Sequence, residues 1–271
     1  MSNNKKISCS VGVLTYNVAN ELPRLLEGLK DFDEIIITDG GSTDGTLEIA
    51  KEYGCKVVSQ SNPGNPIEDF AKERNISLDA AKHDWFFYID SDEVISKELV
   101  NRIRSIVEDN KESFLIYKVR YVKTSPDLSI KYRTFKEYYQ TRFFNKKSGA
   151  RFKKKIHEKI FFDKTILVGI INEPWYVLLE EELDFKEYKK KVVYRVDVMV
   201  KAQKQTLKRF LMRGVYSPSV ESLKTFIKMV YVRLRFRKKG IPAQYELNRL
   251  YLQWVTFKTY CKYFFDKDLA S

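Results

Sequence analysis

The sequence predicts an α/β protein in which a mostly parallel sheet is flanked by helices and followed by a basic helical C-terminal extension. Three observations support this fold class: apolar runs alternate with helix-period segments over residues 7–107, one apolar run is unbroken, and the apolar spacing becomes helical from about residue 185. Alternating strands and crossover helices are typical of a parallel sheet. The 271 residues are enough for one large domain with an appendage or for two small domains.

The first half of the chain supplies the predicted sheet. Strands are expected at residues 7–14, 35–38, 57–59 and 85–89, and helices after the first strand, after the second strand and over residues 70–78. Asn20 is expected to cap the first helix, Thr43 and Asp44 lie where the second should be capped, and Gly54 should end it. The unbroken apolar run at 85–89 indicates burial on both faces, in the centre of the sheet.

Charge is divided unevenly along the chain. Residues 1–110 hold 12 Lys and Arg and 20 Asp and Glu, whereas residues 111–271 carry a net charge of +21. Residues 201–262 alone contain 15 basic residues and only two acidic ones, Glu221 and Glu246. A stretch of this kind indicates an anionic partner.

Composition excludes several classes of protein. The balance of apolar, charged, Gly and Pro residues is unlike that of collagen-like, disulfide-scaffold or disordered chains. Cys9, Cys55 and Cys261 are too scattered for a disulfide framework or a zinc site, which favours a reducing compartment. We expect neither a membrane-spanning helix nor a signal peptide, because no apolar run is long enough and the N-terminus is polar.

Polar loops follow three of the predicted strands, at residues 15–17, 39–46 and 90–93. In doubly wound sheets, ligands bind beyond the carboxyl ends of the strands, so these loops are the candidate site. The glycine-containing loop at 39–46 could equally be a tight turn with a capping Ser or Thr.

An Asp-x-Asp sequence occurs three times, at 31–33, 90–92 and 266–268, but only Asp90 and Asp92 follow a buried strand. Two carboxylates there, followed by Glu93, concentrate negative charge beside an apolar wall, which is costly unless a cation neutralises it. Mg²⁺ or Mn²⁺ suits one or two carboxylates together with water and phosphate oxygens. We therefore predict a divalent metal that bridges to a diphosphate.

Four segments, at residues 14–17, 37–46, 70–75 and 87–93, occur in the order and at the spacings that resemble family 2 glycosyltransferases of GT-A fold. Later segments at 140–144, 150–152 and 156–158 resemble the branch around lipopolysaccharide-core glucosyltransferases. The resemblance covers residues 7–165, whereas the tail resembles that branch only in character.

The resemblance implies roles for individual residues. Tyr16 would stack on the nucleotide base and Asp39 would accept a hydrogen bond from it, chemistry that a phenol ring and a carboxylate can perform. The remaining donor and metal contacts are implied for Thr15 and Asn17 at the base and ribose, Arg74 near the nucleotide, Asp90 at ribose or metal, and Asp92 as main metal ligand. The alternative for Arg74 is a surface salt bridge with Glu73 or Asp69.

Inverting transfer needs a carboxylate base, and the resemblance to this branch implies Glu158 for that role, with Asp127 and Glu93 as reserve candidates. The alternative for Glu158 is a solvated ion pair with neighbouring lysines. His157 could approach the metal or diphosphate, or be structural. Contact with donor phosphates or an anionic acceptor is a hypothesis for Arg142 and for the lysines at 153–155, and a solubilising strand edge is its alternative.

We expect a catalytic domain at 1–184, with a nucleotide-sugar half at 1–110 and an acceptor half at 111–184, and a basic amphipathic tail at 185–271. Two apolar stripes occur in the tail, one at Leu223, Phe226, Ile227, Val230, Tyr231 and Leu234, the other at Leu247, Leu250, Tyr251, Trp254, Cys261 and Phe264. They could pack on the catalytic domain, or dock on an anionic membrane surface.

The predicted function is metal-dependent, inverting transfer of a sugar from a nucleotide-sugar, UDP-linked, to a membrane-associated glycan or lipid such as lipopolysaccharide core. The expected location is cytoplasmic, at the inner face of the cell membrane, and no nucleic-acid partner is expected because the N-terminal half is acidic. A nucleotidyltransferase, a non-catalytic sugar-nucleotide binder and a nucleic-acid binder are the alternatives.

Overall fold

The protein is described by a computed structural model over residues 5–65, 67–109, 114–154, 158–179, 185–201 and 203–266. It consists of two compact units, the first formed by Met1–Val122 and Glu137–Leu178, the second by Lys123–Lys136 and Leu179–Ser271. The predicted division between residues 184 and 185 adjoins a segment, 180–184, that lies outside the described residues.

The first unit is built on strands with short helices between them. Its strands are β1 (Ile7–Thr15), β2 (Phe32–Asp39), β3 (Lys56–Ser59), β4 (Trp85–Tyr88), β5 (Glu93–Ile95), β6 (Ile116–Thr124), β7 (Tyr138–Asn145), β8 (Arg151–Lys153), β9 (Lys159–Phe161) and β10 (Val168–Leu178). Its helices are α1 (Leu22–Leu29), α2 (Thr46–Glu52), α3 (Phe70–Ala80) and α4 (Lys97–Glu108).

Within the described chain, eight strands form one sheet in the order β3-β2-β1-β4-β7-β6-β10-β5, and β8 and β9 form a separate pair. β3, β2, β1 and β4 are parallel, whereas β7 runs antiparallel to both β4 and β6, and β10 runs antiparallel to β5. The predicted α/β class is confirmed, and the second half makes the sheet mixed.

Register brings three strand ends to one edge of the sheet. β1 pairs with β2 so that Thr15 lies opposite Asp39, and with β4 so that Gly12 lies opposite Tyr88. Strands in a sheet lie about 4.8 Å apart, so the polar loops after β2 and β4 are separated by only about 10 Å.

The central position predicted for the apolar run is confirmed by β4. All four of its residues are buried, and Trp85 stacks on Phe143 of β7 with ring centroids 4.5 Å apart. Phe87 belongs to the core on one face of the sheet and Phe86 to the core on the other. Burial on both faces therefore explains the lack of apolar–polar alternation in this strand.

The helix ends of the structure agree only in part with the capping residues predicted from the sequence. Asn20 is not a cap: α1 begins after Glu21, without a side-chain cap, and Pro23 in its first turn removes one of the N–H groups that would need a partner. The residue that precedes α2 is Gly45, with φ of 88°, while Asp44 accepts hydrogen bonds from the backbone N–H and the hydroxyl of Thr46. Gly54, with φ of 68°, follows the end of α2 as predicted.

The second unit is mainly helical, as predicted for the tail. It contains α5 (Phe185–Lys201), α6 (Leu207–Arg209) leading into a π-helical segment (Phe210–Tyr216), α7 (Ser217–Phe236) and α8 (Ala243–Phe265). Its core consists of Val192, Val196, Val200, Phe210, Val255, Tyr260 and Tyr263. No described helix combines the length and apolar character that crossing a bilayer requires.

The predicted stripe of α7 is not a buried face, and that of α8 is buried only in part. On α7 the buried residues are Pro218 and Val232, and the predicted apolar stripe is exposed to solvent. On α8 the fully buried described residues are Asn248, Val255, Thr259, Tyr260 and Tyr263, while Tyr251, Cys261 and Phe264 of the predicted stripe are partly buried and pack against the core of the unit. Periodicity therefore identified both helices and part of the packing face of α8, but not that of α7.

The side chains of Phe86 and Ser77 pack closely against Gly12 of β1, where there is no room for a Cβ. A Cβ there would lie 2.6 Å from Cζ of Phe86 and 3.0 Å from Cβ of Ser77. We expect Gly12→Ala to lower the free energy of unfolding by about 1–3 kcal/mol, because the buried ring has little room to move. Chemical denaturation would measure the change. Ser59→Ala on the exposed edge strand is the control, and equal stability of the two variants would contradict this account.

Candidate active site

The loops after β1 and β2 are joined by side-chain hydrogen bonds. The backbone N–H of Asn17 donates to Oγ of Ser42 at 2.8 Å, and Oδ1 of Asn17 accepts from the backbone N–H of Thr43 at 2.8 Å. Asn17 has φ of 50°, a left-handed conformation that Asn tolerates better than most residues. These contacts hold the two loops as one surface at the carboxyl edge of the sheet.

Asp39 organises the same loops from inside. One carboxylate oxygen accepts from the hydroxyls of Thr15, at 2.8 Å, and Ser42, at 2.6 Å, and the other accepts from the backbone N–H groups of Gly41 and Ser42, both at 2.8 Å. The four acceptor positions of the carboxylate are thus filled within the protein. Contact of Asp39 with a base stays a prediction and would require one of these bonds to be exchanged.

Tyr16 supplies the open aromatic face at this edge. Its side chain is 52% exposed, and a Cβ on Gly40 would approach within 3.1 Å of both the Tyr16 ring and Oε1 of Gln60. Gly40 therefore lets a tyrosine ring and a buried amide lie against one turn. An exposed ring backed by a rigid turn can stack on a planar ligand.

Two arginines hold Asp90 at the end of β4. Arg74 of α3 pairs with one carboxylate oxygen, and Nη2 of Arg142, from β7, lies 3.3 Å from the other. Both guanidinium groups also lie over the ring of Tyr88, 4.7 Å and 4.5 Å from its centroid. The suggested alternative for Arg74, a surface ion pair with Glu73 or Asp69, is wrong: Arg74 is buried and its partners are Asp90 and Glu158.

Beneath Asp90 lies a buried ion pair. Nη2 of Arg142 is 3.0 Å from Oε1 of Glu93, and that oxygen also accepts from the indole N–H of Trp175 at 3.0 Å. Oε2 of Glu93 accepts from the backbone N–H of Asp90 at 3.0 Å. Removal of one partner of such a pair leaves an uncompensated buried charge, at a cost of about 3–5 kcal/mol.

The pKa values of Glu93 and Asp90 are shifted in opposite directions. Burial raises the pKa of Glu93 to about 7, against the attraction of Arg142. Burial also opposes ionisation of Asp90, but Arg142 and Arg74 outweigh it and hold the pKa of Asp90 at about 2. Asp90 therefore remains a carboxylate across the physiological range, when the two arginines are in place.

Asp92 differs from Asp90, because it is exposed and has no ion-pair partner in the part of the chain that the structure describes. The protein around Asp92 still displaces part of its hydration, which raises the pKa of its carboxyl, and the Asp90 carboxylate raises that pKa further. The described residues contain no group of three or more His, Cys, Asp or Glu side chains arranged for a metal ion. The two carboxylates of Asp90 and Asp92 nevertheless fit Mg²⁺ or Mn²⁺, because these ions take few protein ligands and complete their shell with water and phosphate.

Glu158 belongs to the same cluster. Nε of Arg74 donates to Oε1 of Glu158 at 2.9 Å, while Nη2 of Arg74 holds Asp90, so one guanidinium bridges the two carboxylates. Glu158 precedes β9 and its side chain is 19% exposed. The suggested alternative, a solvated partner of neighbouring lysines, does not describe the environment found here.

The other predicted site residues have different positions. Arg142 is buried among Glu93, Tyr88 and Trp175, so the expected contact with donor phosphates or an acceptor is not supported. Asp127 caps a turn in the second unit, where hydrogen bonds from Ser125 and Ser129 lower its pKa to about 2. His157 and residue 155 lie outside the described residues.

Sequence reasoning missed Trp175 and Tyr88 as members of the cluster. Trp175 comes from β10, more than 80 residues after Glu93 in the chain, and the two meet because β10 pairs with β5. Tyr88 lies in the apolar run at 85–89, and the sequence predicts no ion contact for it. Its hydroxyl donates to the carbonyl of Thr141 at 2.9 Å, which fixes the ring that both arginines contact.

Known proteins show similarity over this same part of the chain. Residues 10–173 match the model of "Glycosyl transferase family 2". An uncharacterised glycosyltransferase of Rickettsia bellii is 32% identical over 168 residues, which are 60% of this chain and 54% of that protein. The poly(ribitol-phosphate) β-N-acetylglucosaminyltransferase TarS of Staphylococcus aureus is 33% identical over 122 residues, 41% of this chain and 21% of TarS.

The chain therefore spans only about half, or less, of the length of these relatives. Among solved structures, residues 1–349 of S. aureus TarS superpose with a TM-score of 0.47 and 15% identity, over 93% of this chain and 88% of that one. The family match covers more than half of the chain and includes the Tyr16, Asp39, Asp90 and Glu158 positions, so the chain belongs to glycosyl transferase family 2.

Proposed function

We propose that this chain transfers a sugar, with inversion, from a nucleotide-sugar donor to a hydroxyl of a glycan or lipid acceptor. Family membership supports the reaction class, and the name of the relative TarS describes a transfer of N-acetylglucosamine. A UDP-linked donor is the specific proposal, as the resemblance of the 14–17 and 37–46 segments implies.

One observation carries the proposal: Arg74 bridges Asp90 and Glu158. Asp90 and Asp92 lie at the edge where the exposed Tyr16 ring could hold a base, about one strand spacing away, because β1 and β4 are neighbours. Glu158 is thereby held next to the position where the diphosphate of a donor would lie. A candidate base and a candidate leaving-group site are parts of one ion-pair network.

In the proposed reaction, the acceptor hydroxyl oxygen bonds to the anomeric carbon on the face opposite the diphosphate. The bond from that carbon to the diphosphate oxygen breaks, and a carboxylate oxygen of Glu158 takes the hydroxyl proton. Arg74 occupies Oε1 of Glu158, and Oε2 has no partner among the described residues. Arg74 thus fixes the orientation of the base and leaves one oxygen for the proton.

A divalent metal would be held by Asp92, with Asp90 as a second contact, and when bound it would neutralise charge on the departing diphosphate. Asp92 offers an exposed carboxylate beside the base-binding edge. Asp90 is kept ionised by two arginines, so its carboxylate adds a negative charge beside Asp92.

We further propose that the acceptor is membrane-associated, such as lipopolysaccharide core or a related cell-surface glycan, and that the protein works at the inner membrane surface. Support comes from the charge of residues 201–262 and from the branch that the 140–158 segments resemble. The acceptor itself has to be found by assay.

Glu158→Gln is expected to lower the transfer rate by about 10²–10⁴-fold, because the amide cannot accept the hydroxyl proton, while UDP binding stays within about twofold. Transfer kinetics and calorimetric UDP titration would measure the two effects. Glu137→Gln, which removes a surface ion pair with Arg120, is the control and should leave both unchanged. Full transfer activity of the Glu158 variant would assign the base elsewhere.

Arg74→Lys is expected to lower kcat by about 10–100-fold with little change in UDP affinity, because one ammonium group cannot reproduce the forked contact to two carboxylates. Steady-state kinetics would separate kcat from KM. Arg151→Lys, at a surface arginine paired with Asp79, is the matched control. If the Arg74 variant loses UDP binding instead of kcat, Arg74 acts on the nucleotide, as first predicted from the resemblance.

Asp92→Asn is expected to abolish the extra thermal stabilisation that Mn²⁺ adds to UDP, since stabilisation by a ligand follows its affinity for the folded state. Melting temperature with UDP, with and without Mn²⁺, is the measurement. Asp84→Asn, an exposed aspartate just before the start of β4, is the control. Retention of the manganese effect in the Asp92 variant would contradict the proposed metal contact.

A further inference from the structure

The apolar face of α7 points toward solvent. Leu223, Phe226, Ile227, Val230 and Leu234, here named the α7 seam, recur at helical spacing and are 38–79% exposed. The residues of α7 that are buried, Pro218 and Val232, lie outside this seam. An amphipathic helix that packs within its own unit would present the opposite arrangement. The seam is therefore built for a partner outside its own helical unit.

Cations flank the seam. Lys224, Arg233 and Arg235 are exposed beside it on the same helix. Acidic residues offset this charge only in part: Glu221 pairs with Lys224 at 2.8 Å and Glu246 with Arg249 at 3.3 Å, whereas Arg233 and Arg235 have no acidic partner among the described residues. The face of α7 thus combines a strip of large aliphatic side chains with a positive surround.

This combination selects among the possible partners. A second copy of the chain would bring the same positive surround against the first, and like charges oppose that contact. A nucleic acid would use the cations but leave the exposed leucines in water. A surface of anionic phospholipid satisfies both features, because acyl chains receive the apolar side chains and headgroups face the cations.

We propose that the α7 seam is a docking surface for anionic phospholipid bilayers. The inference deepens the proposed function and depends on it for its purpose, since it assigns the surface by which an enzyme without a described membrane span would reach a membrane-bound acceptor. Binding to the bilayer itself does not require donor, metal or catalysis, so it can fail or succeed separately.

The test is flotation of the full chain with vesicles of phosphatidylcholine, alone or mixed with phosphatidylglycerol. The parent chain is expected to float with the mixed vesicles only, less so as salt rises. The double variant Leu223→Gln/Leu234→Gln should lower the partition coefficient by about 10–100-fold, because two apolar side chains are lost from the interface. Arg233→Gln/Arg235→Gln should weaken flotation and flatten its salt dependence.

The matched control is Leu167→Gln/Ile170→Gln, which alters two aliphatic residues of the first unit that are 70% and 60% exposed, and it should float like the parent. Manganese-dependent UDP binding should be equal in the parent and the three variants, which also shows that each is folded. The proposal is overturned if the parent does not float with anionic vesicles, if the seam variant floats like the control, or if sedimentation shows that the seam joins two copies. Absence of UDP binding in all four proteins would count against the proposed function and leave the docking result intact.

Discussion

The candidate site depends on a buried charge arrangement below Asp90. Arg142 and Glu93 form an ion pair inside the first unit, and the indole of Trp175 and the backbone N–H of Asp90 complete the bonding of Glu93. Burial of charge is favourable only when each group is paired and hydrogen-bonded. The pair therefore fixes where the chain after β4 turns, and with it the position of the Asp90 and Asp92 carboxylates.

Arg74 transmits that position to the rest of the site. Its guanidinium is held on one side by the Tyr88 ring and on the others by Asp90 and Glu158, which come from distant parts of the chain. A planar fork with several fixed donors can connect two carboxylates in a way that a flexible ammonium cannot. The network explains how segments 84 residues apart, at Arg74 and Glu158, form a single site.

The second unit differs from the first in how its apolar side chains are divided between core and surface. Its core is formed by α5, the π-helical segment and α8, while α7 contributes few buried residues and exposes its large aliphatic ones. Exposed apolar area of this extent costs free energy in water, and contiguous patches on a protein surface mark interaction sites. Together with the positive surround, this separates the role of the helical unit from that of the sheet that carries the site.

Sequence alone determined the α/β alternation, the central β4, the polar loops at the strand ends and the helical tail, because these depend on local spacing and on the apolarity of short runs. It also selected Asp90 over the other two Asp-x-Asp sequences, since only that one follows a buried strand. Tertiary structure decided that Arg142 lies inside, that Trp175 joins Glu93, and that Arg74 bridges to Glu158. Those contacts, like the face that α7 exposes, depend on which strands and helices become neighbours, and local patterns carry no information about partners so far apart in the chain.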